Sequence, residues 1–195
     1  SKSKGNVIDP LDIINKYGAD SLRFSLISMA APGRDVKLSE DRVKGYRNFL
    51  NKIWNANKFS KLNHCELSKK FRIQKTSLDV NKWIYFELVN TNKEAKKYIL
   101  NFRFDEAARV IYQFVWHSYC DWYIEFLKPI FDSKNKKNLE ESRNMSAFIQ
   151  SNILILLHPF IPFLTERVWQ DFKFSNYFKT PLMFKDWDIK SQLTF

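Results

Sequence analysis

The sequence contains very few residues that break a helix. Its 195 residues include only 4 glycines and 6 prolines, whereas hydrophobic residues make up 45% and aromatic residues 16%. Because glycine and proline end helices and shape turns, this composition favours long helices over a turn-rich β fold. We therefore predict an all-α chain that is long enough to bury a sizeable core.

Apolar residues recur at intervals of three and four along several stretches, as on the buried face of a helix. Four long helices are predicted at about 39–62, 79–100, 105–128 and 139–157, and shorter ones at about 10–17, 20–29 and 162–172. Asp9 and Pro10 are suited to start the first of these. Pro129 is expected to end the third long helix, and the chain from Lys173 onward is expected to be irregular. Short links between the long helices predict an up-down antiparallel bundle, preceded by a short helical linker.

The up-down order also predicts which connections are neighbours. The segment 64–77 and the loop 134–138 should lie at one pole of the bundle, and the turn 101–103 and the chain before Ser39 at the other. Both segments at the first pole are basic, since they carry Lys69, Lys70, Arg72, Lys75, Lys134, Lys136 and Lys137.

The chain has a formal net charge of +11 and a pI of about 9.6, which calls for an anionic partner. Nucleic acid is the favoured partner, because neutralising phosphates supplies much of the affinity in such complexes. A membrane surface is the alternative. The most apolar run, 153–157, is far too short to span a bilayer, so no membrane partner is predicted.

The two cysteines, Cys65 and Cys120, are expected to be reduced thiols of a cytoplasmic protein. His64 adjoins the first, and His117 lies three residues before the second. Neither pair has the spacing of a usual zinc site, so packing is favoured and no metal site is predicted.

The 39–62 helix carries a polar stripe in which cations and amides occur without acids. The stripe predicts RNA contact, with ordinary exposed surface as the alternative; its residues are Lys44, Asn48, Asn51, Asn55 and Lys58. Trp83 and Lys128 are expected to join Asn55 and Lys58 at the basic pole, where Asn would read a base, Trp would stack on one, and Lys would hold phosphate. The alternative for Trp83 is a plug at the end of the bundle.

The 105–128 helix is apolar on most sides, and its polar residues form a narrow seam. The seam consists of Arg109, Gln113, His117, Asp121 and Glu125, each four residues from the next. Helical spacing lets His117 meet Asp121. We interpret the seam as a hydrogen-bonded stripe inside the bundle, with catalysis as the alternative.

The first residues combine hydroxyl and ammonium groups in a pattern suited to polyphosphate. Ser1, Lys2, Ser3 and Lys4 precede Gly5, which lets a ligand approach the backbone closely. A solvated tail has a similar composition, so this pattern alone leaves both interpretations open.

Together with the run 9–24, this beginning resembles the signature loop of class I aminoacyl-tRNA synthetases, which reads Lys-Met-Ser-Lys-Ser. Ser1, Lys2 and Ser3 match its last three letters, so the chain is expected to be a fragment that lacks the preceding nucleotide-binding domain. The segments 31–35, 45–49, 114–117 and 120–123 resemble the valine-specific branch of that family.

The resemblance implies a parent ligase that joins valine to tRNA-Val using ATP and magnesium, with Lys2 stabilising the leaving pyrophosphate and Ser1, Ser3 and Lys4 also at the ATP. It implies a signature loop and connector at 1–38, an anticodon-binding bundle at 39–172 and a tail at 173–195. We expect a monomer that is inactive by itself. The alternatives are the isoleucine or leucine branch of the family, and a stand-alone RNA-binding or scaffold module.

Overall fold

The computed structural model describes residues 9–33, 35–187 and 189, and within these ranges it contains helices and no strand. The all-α prediction is confirmed. The helices are α1 Pro10–Tyr17, α2 Ala19–Met29, α3 Glu40–Leu62, α4 Asp79–Leu100, α5 Phe104–Gln113, a π-helix Phe114–Tyr123, α6 Ile124–Phe131, α7 Lys136–Leu157, α8 Pro162–Asp171 and α9 Phe174–Phe178. Single 3-10 turns occur at Ile73–Lys75 and Leu182–Phe184.

The helices α1 and α2 precede the long helices, and α2 packs into their core through Phe24, which is fully buried. Asp9 caps α1 by accepting a 2.8 Å hydrogen bond from the backbone N–H of Leu11, and α1 ends at Gly18, whose φ of +87° favours glycine. Asp20 then joins the connector to α8, because its carboxylate accepts a 2.7 Å hydrogen bond from the backbone N–H of Leu164. The chain therefore enters the bundle at a fixed position.

The bundle core lies where the long helices meet. Its largest fully buried side chains include Phe49 from α3, Ile84 and Leu88 from α4, Ile111 from α5 and Leu127 from α6. The α7 helix is the most deeply enclosed element, and every residue from Met145 to Leu157 except Phe148 is buried. At about 0.8 kcal/mol per buried methylene, this apolar contact is the main stabilising term of the bundle.

The predicted helix after residue 103 is one continuous rod with a change of pitch in its middle. The π-helix Phe114–Tyr123 separates α5 from α6. Its wider turn alters the rotation per residue, so residues spaced at three and four no longer stay on one face. This explains why Trp122 and Phe126, on a helix predicted to be apolar on most sides, are 57% and 44% exposed.

Two predicted helix ends are wrong. Pro129 lies inside α6, which continues to Phe131. Proline cannot donate a bond to the carbonyl of Glu125, four residues earlier, and α6 continues for only two residues past it. The fourth long helix begins at Lys136 rather than Leu139, because the side chain of Asn135 caps it through the backbone N–H of Asn138 at 3.2 Å.

The chain from Lys173 onward was expected to be irregular but contains α9. Left-handed residues, Lys173 with φ +53° and Lys179 with φ +55°, bound this helix. Phe174 and Phe178 from α9 each lie 5.2 Å from Trp169, between ring centroids. Trp187 donates a 3.0 Å hydrogen bond to the backbone carbonyl of Ile155. Aromatic packing on α7 and α8 therefore orders this segment.

Candidate nucleic-acid interface

The α3 helix has one buried face and one exposed face, as its pattern predicts. Val43, Phe49 and Ile53 are buried. All residues of the predicted stripe are exposed, namely Lys44, Asn48, Asn51, Asn55 and Lys58. Among the residues that the structure describes, the side-chain amides of the three asparagines have no hydrogen-bonding partner. They are therefore free to bind a ligand.

The α3 helix as a whole carries an excess of positive charge. Glu40 and Asp41 lie in its first turn, and no acidic residue follows before Leu62. Six cations occupy the same stretch, namely Arg42, Lys44, Arg47, Lys52, Lys58 and Lys61. A helix exposed only to water usually carries both signs of charge, so this face is suited to phosphate.

Lys52 connects the α3 face to the π-helix. Its ammonium group forms a salt bridge with Asp121 and lies 4.0 Å from the ring centroid of Trp116. Burial raises the pKa of the Asp121 carboxyl, but the hydrogen bonds and charges of Lys52 and His117 outweigh burial and hold it below its ordinary value. Lys52 was not among the predicted site residues. It lies three residues before Asn55, and this helical spacing alone identifies it as a neighbour of Asn55 on the helix surface.

The predicted polar seam is hydrogen-bonded, but it is not inside the bundle. Arg109 donates to Glu106 at 2.7 Å and to Gln113 at 3.0 Å, and Nδ1 of His117 lies 3.1 Å from Asp121. The His117 side chain is 62% exposed. Three of the seam residues, Arg109, Gln113 and His117, line a cleft of about 700 Å³ between α3 and the rod formed by α5 and the π-helix, where Asn48 is also found.

The two basic segments meet at one pole, as predicted. The backbone N–H of Ser68, in the segment 64–77, donates a 2.7 Å hydrogen bond to Asn144 on α7. Glu141 on α7 accepts from the backbone N–H groups of Ser77 at 3.0 Å and Leu78 at 2.9 Å. These bonds hold the lysines of the segment beside those at the start of α7.

The recorded contacts of Trp83 and Lys128 are to residues of α6. Trp83 is half-buried and packs edge to face on Phe126, with 6.3 Å between ring centroids. The ammonium group of Lys128 pairs with Glu125 at 2.7 Å. Lys58 lies on α3, 5.8 Å from the Trp54 ring centroid. Among the described residues, no hydrogen bond, salt bridge or ring contact joins Asn55 or Lys58 to Trp83, and their convergence at one pole remains a prediction.

Neither cysteine is suited to hold a metal. Both are buried, and burial raises the pKa of the Cys65 thiol to about 11 and that of Cys120 to about 12. The described residues include no group of three or more His, Cys, Asp or Glu side chains that could hold a metal ion.

In the part of the chain that the structure describes, none of the helices is both long and apolar enough to cross a membrane. Ser1, Lys2, Ser3 and Lys4 lie outside the described residues.

Two family models match the chain. The anticodon-binding domain of tRNA ligase matches residues 81–194, and the class I tRNA synthetase model for isoleucine, leucine, methionine and valine matches residues 1–39. The first covers more than half of the chain. The chain therefore belongs to the family of anticodon-binding domains of tRNA ligases.

Its curated relatives identify the branch of this family. The chain is 58% identical to the valine–tRNA ligase of Pelagibacter ubique over 187 residues, which are 96% of the chain and 21% of that protein. It is 50% identical to the valine–tRNA ligase of Bradyrhizobium diazoefficiens over 170 residues, or 87% of the chain and 18% of that protein. The resemblance to the valine-specific branch is thus confirmed, and the chain spans about a fifth of these relatives.

A solved structure shares the fold. The chain is similar to LeuRS in the ternary LeuRS–tRNA–LeuAMS complex from Agrobacterium radiobacter, with a TM-score of 0.63. The match covers 87% of this chain and 20% of the other, at 18% sequence identity. The helical-bundle prediction is therefore confirmed for the fold.

Proposed function

We propose that this chain binds the anticodon arm of tRNA-Val through the exposed face of α3, as the anticodon-binding part of a valine–tRNA ligase. The observation that carries the proposal is the exposure of Lys44, Asn48, Asn51, Asn55 and Lys58 on a helix with no acidic residue after Asp41. Lysines supply attraction to phosphate, and unpaired amides supply hydrogen bonds to the edges of unstacked bases.

The proposed whole protein ligates valine to tRNA-Val in two steps, in the cytoplasm. ATP and valine first give valyl-adenylate and pyrophosphate, and the valyl group then moves to the 3′ end of the tRNA. Ser1, Lys2, Ser3 and Lys4 would hold the ATP with its magnesium, and Lys2 would stabilise the charge that develops on the pyrophosphate. The family match at residues 1–39 supports this assignment.

The experiment is a titration of the monomeric 195-residue chain with a tRNA-Val transcript at several salt concentrations. Because most contacts would be to phosphate, Kd should rise steeply with salt, by about a decade or more between 50 and 200 mM. The variant Lys44→Ala/Lys58→Ala should reduce both affinity and salt dependence, whereas the charge-matched Lys93→Ala/Lys97→Ala, on α4, should reduce them less. Absence of binding, or binding independent of salt, would contradict the proposal and favour a scaffold module.

A second arm of the titration uses ATP with magnesium. The chain is expected to show no saturable binding of ATP, because the signature loop supplies only part of a nucleotide site. Saturable binding of ATP by the chain alone would show that the chain contains a complete ATP site, which would contradict this expectation.

A further inference from the structure

Lys52 differs from the other cations of α3. Of the six that the helix carries, it alone forms a salt bridge with a carboxylate within the part of the chain that the structure describes. Its ammonium group contacts Oδ1 of Asp121 and lies 4.0 Å from the ring centroid of Trp116. Both partners belong to the π-helix. The charge of Lys52 is therefore held against the π-helix, although its side chain is partly exposed.

Lys52 lies beside the asparagines of the exposed stripe. It is four residues after Asn48 and three before Asn55, and side chains at these spacings are neighbours on a helix surface. Arg47, which precedes Asn48, donates a hydrogen bond to the backbone carbonyl of Lys16 on α1. The two cations nearest the asparagines are thus both engaged within the protein, one by the π-helix and one by α1.

The end of the π-helix holds Asp121 in place. The hydroxyl group of Tyr123, which is fully buried, donates a 2.8 Å hydrogen bond to Oδ1 of Asn81 on α4. Residues two apart on a helix do not face the same side, so the bond that anchors Tyr123 in the core directs Asp121 outward. The second carboxylate oxygen of Asp121 lies 3.1 Å from Nδ1 of His117. Both oxygens are thus engaged, and the carboxylate has a fixed position beside α3.

The ion pair changes what Lys52 offers to RNA. A lysine that neutralises a phosphate releases counterions from the RNA, whereas a lysine already paired with a carboxylate is not free to do so. Contacts to phosphate are independent of sequence and supply nearly all of non-specific binding. A free cation among amides that read bases would therefore strengthen non-specific binding and reduce the discrimination that the amides supply.

We infer that Asp121 is a positioning residue that withholds Lys52 from RNA phosphate and so preserves the specificity of the α3 face. The inference rests on the tRNA binding proposed above, and it concerns how that surface discriminates between RNAs. Trp116 supports the same arrangement, because the face of its ring gives the withdrawn ammonium group a second favourable contact.

The most informative variant is Asp121→Asn, which keeps the shape of the side chain and removes its charge. With Lys52 released, the slope of log Kd against log salt should steepen by about 0.7, the contribution of one contact to single-stranded RNA. Kd for a tRNA-Val transcript with an altered anticodon should fall about two- to fivefold, the range of one exposed ion pair, and Kd for the unaltered transcript should fall less. Loss of a merely structural contact would weaken binding instead, so a slope that is unchanged or shallower would overturn the inference.

Two further variants assign the effect to Lys52. Glu94→Gln removes one negative charge from an exposed position of α4 and should leave the slope near that of the wild type. Asp121→Asn/Lys52→Gln removes the released cation as well, and should return both the slope and the ratio of the two Kd values to those of the wild type. The inference is wrong if the double variant keeps the steeper slope, or if both transcripts gain affinity equally in Asp121→Asn. Failure of the wild-type chain to bind tRNA would instead refute the proposed function.

Discussion

The carboxylate of Glu141 on α7 accepts a 2.9 Å hydrogen bond from the backbone N–H of Leu78, the residue that precedes α4. Its second oxygen accepts from the Ser77 hydroxyl group at 2.6 Å. An acid from one helix thus caps the start of another, where the helix dipole favours negative charge. The same contact fixes the end of the basic segment 64–77, so it links the stability of the bundle to the arrangement of its cationic pole.

Replacing this carboxylate should destabilise the chain. Glu141→Gln is expected to lower the free energy of unfolding by about 1 kcal/mol at pH 7, the usual effect of losing a helix cap, because an amide oxygen is a weaker acceptor than a carboxylate. Chemical denaturation measures the effect. The control is Glu140→Gln, an exposed neighbour whose replacement should change stability by less than about 0.5 kcal/mol.

The same variant has a defined pH dependence. Partial burial raises the pKa of Glu141, but the hydrogen bonds from Ser77, Asn81 and Leu78 outweigh it, so the pKa is below its ordinary value of 4.5. A lowered pKa means that the stabilisation is complete above about pH 4.5 and is lost as the pH falls further. The wild-type chain and Glu141→Gln should therefore converge in stability as the pH falls below 4.5. A difference that stays constant as the chain is acidified would contradict the role of the charge.

Trp83 is expected to stack on an RNA base in addition to packing on Phe126. Trp83→Ala should weaken binding of the tRNA-Val transcript by about 1–3 kcal/mol, whereas Trp83→Phe should retain most of the affinity. Phe163→Ala, a change at a residue that is 67% exposed on α8, is the matched control and should leave Kd unchanged. If Trp83→Ala lowers the unfolding midpoint but leaves Kd at its wild-type value, Trp83 only closes the end of the bundle.

Lys2 is predicted to act in the first step of the proposed reaction. In the whole ligase, Lys2→Ala should slow valine-dependent exchange of pyrophosphate into ATP by about two to three decades, the effect of losing one donor to a developing charge. Affinity for tRNA should change little. Lys70→Ala, in the basic segment, should leave the exchange rate near the wild-type value, and an unaltered rate in Lys2→Ala would refute the assignment of the loop.

The features that could be predicted from the sequence are those set by local chemistry. The start of α1 follows from Asp9 and Pro10, and the exposed stripe of α3 follows from regular 3.6-residue periodicity. The π-helix could not be predicted. Apolar residues lie on several sides of this rod, so a change of pitch leaves no visible break in the apolar pattern. For the same reason the exposure of Trp122 could not be predicted, since it depends on how far the rod has rotated.

Tertiary contacts decided the remaining differences. Pro129 lies near the end of α6, which continues for only two residues past it. The α9 helix depends on contact of Phe174 and Phe178 with Trp169, which no local pattern shows. The division of the chain at residues 38 and 172, and the contacts of the predicted site residues with RNA, remain predictions.

The central claim is that the exposed face of α3 reads the anticodon, and Asn55 tests it most directly. In the whole ligase, kcat/KM for aminoacylation is measured with tRNA-Val and with the same tRNA carrying an altered anticodon, for the wild type, Asn55→Ala and Lys58→Ala. If Asn55 hydrogen-bonds to a base, Asn55→Ala should reduce the ratio of the two kcat/KM values by about tenfold or more, whereas Lys58→Ala should lower both alike and preserve the ratio. A wild-type ratio in Asn55→Ala would contradict the claim.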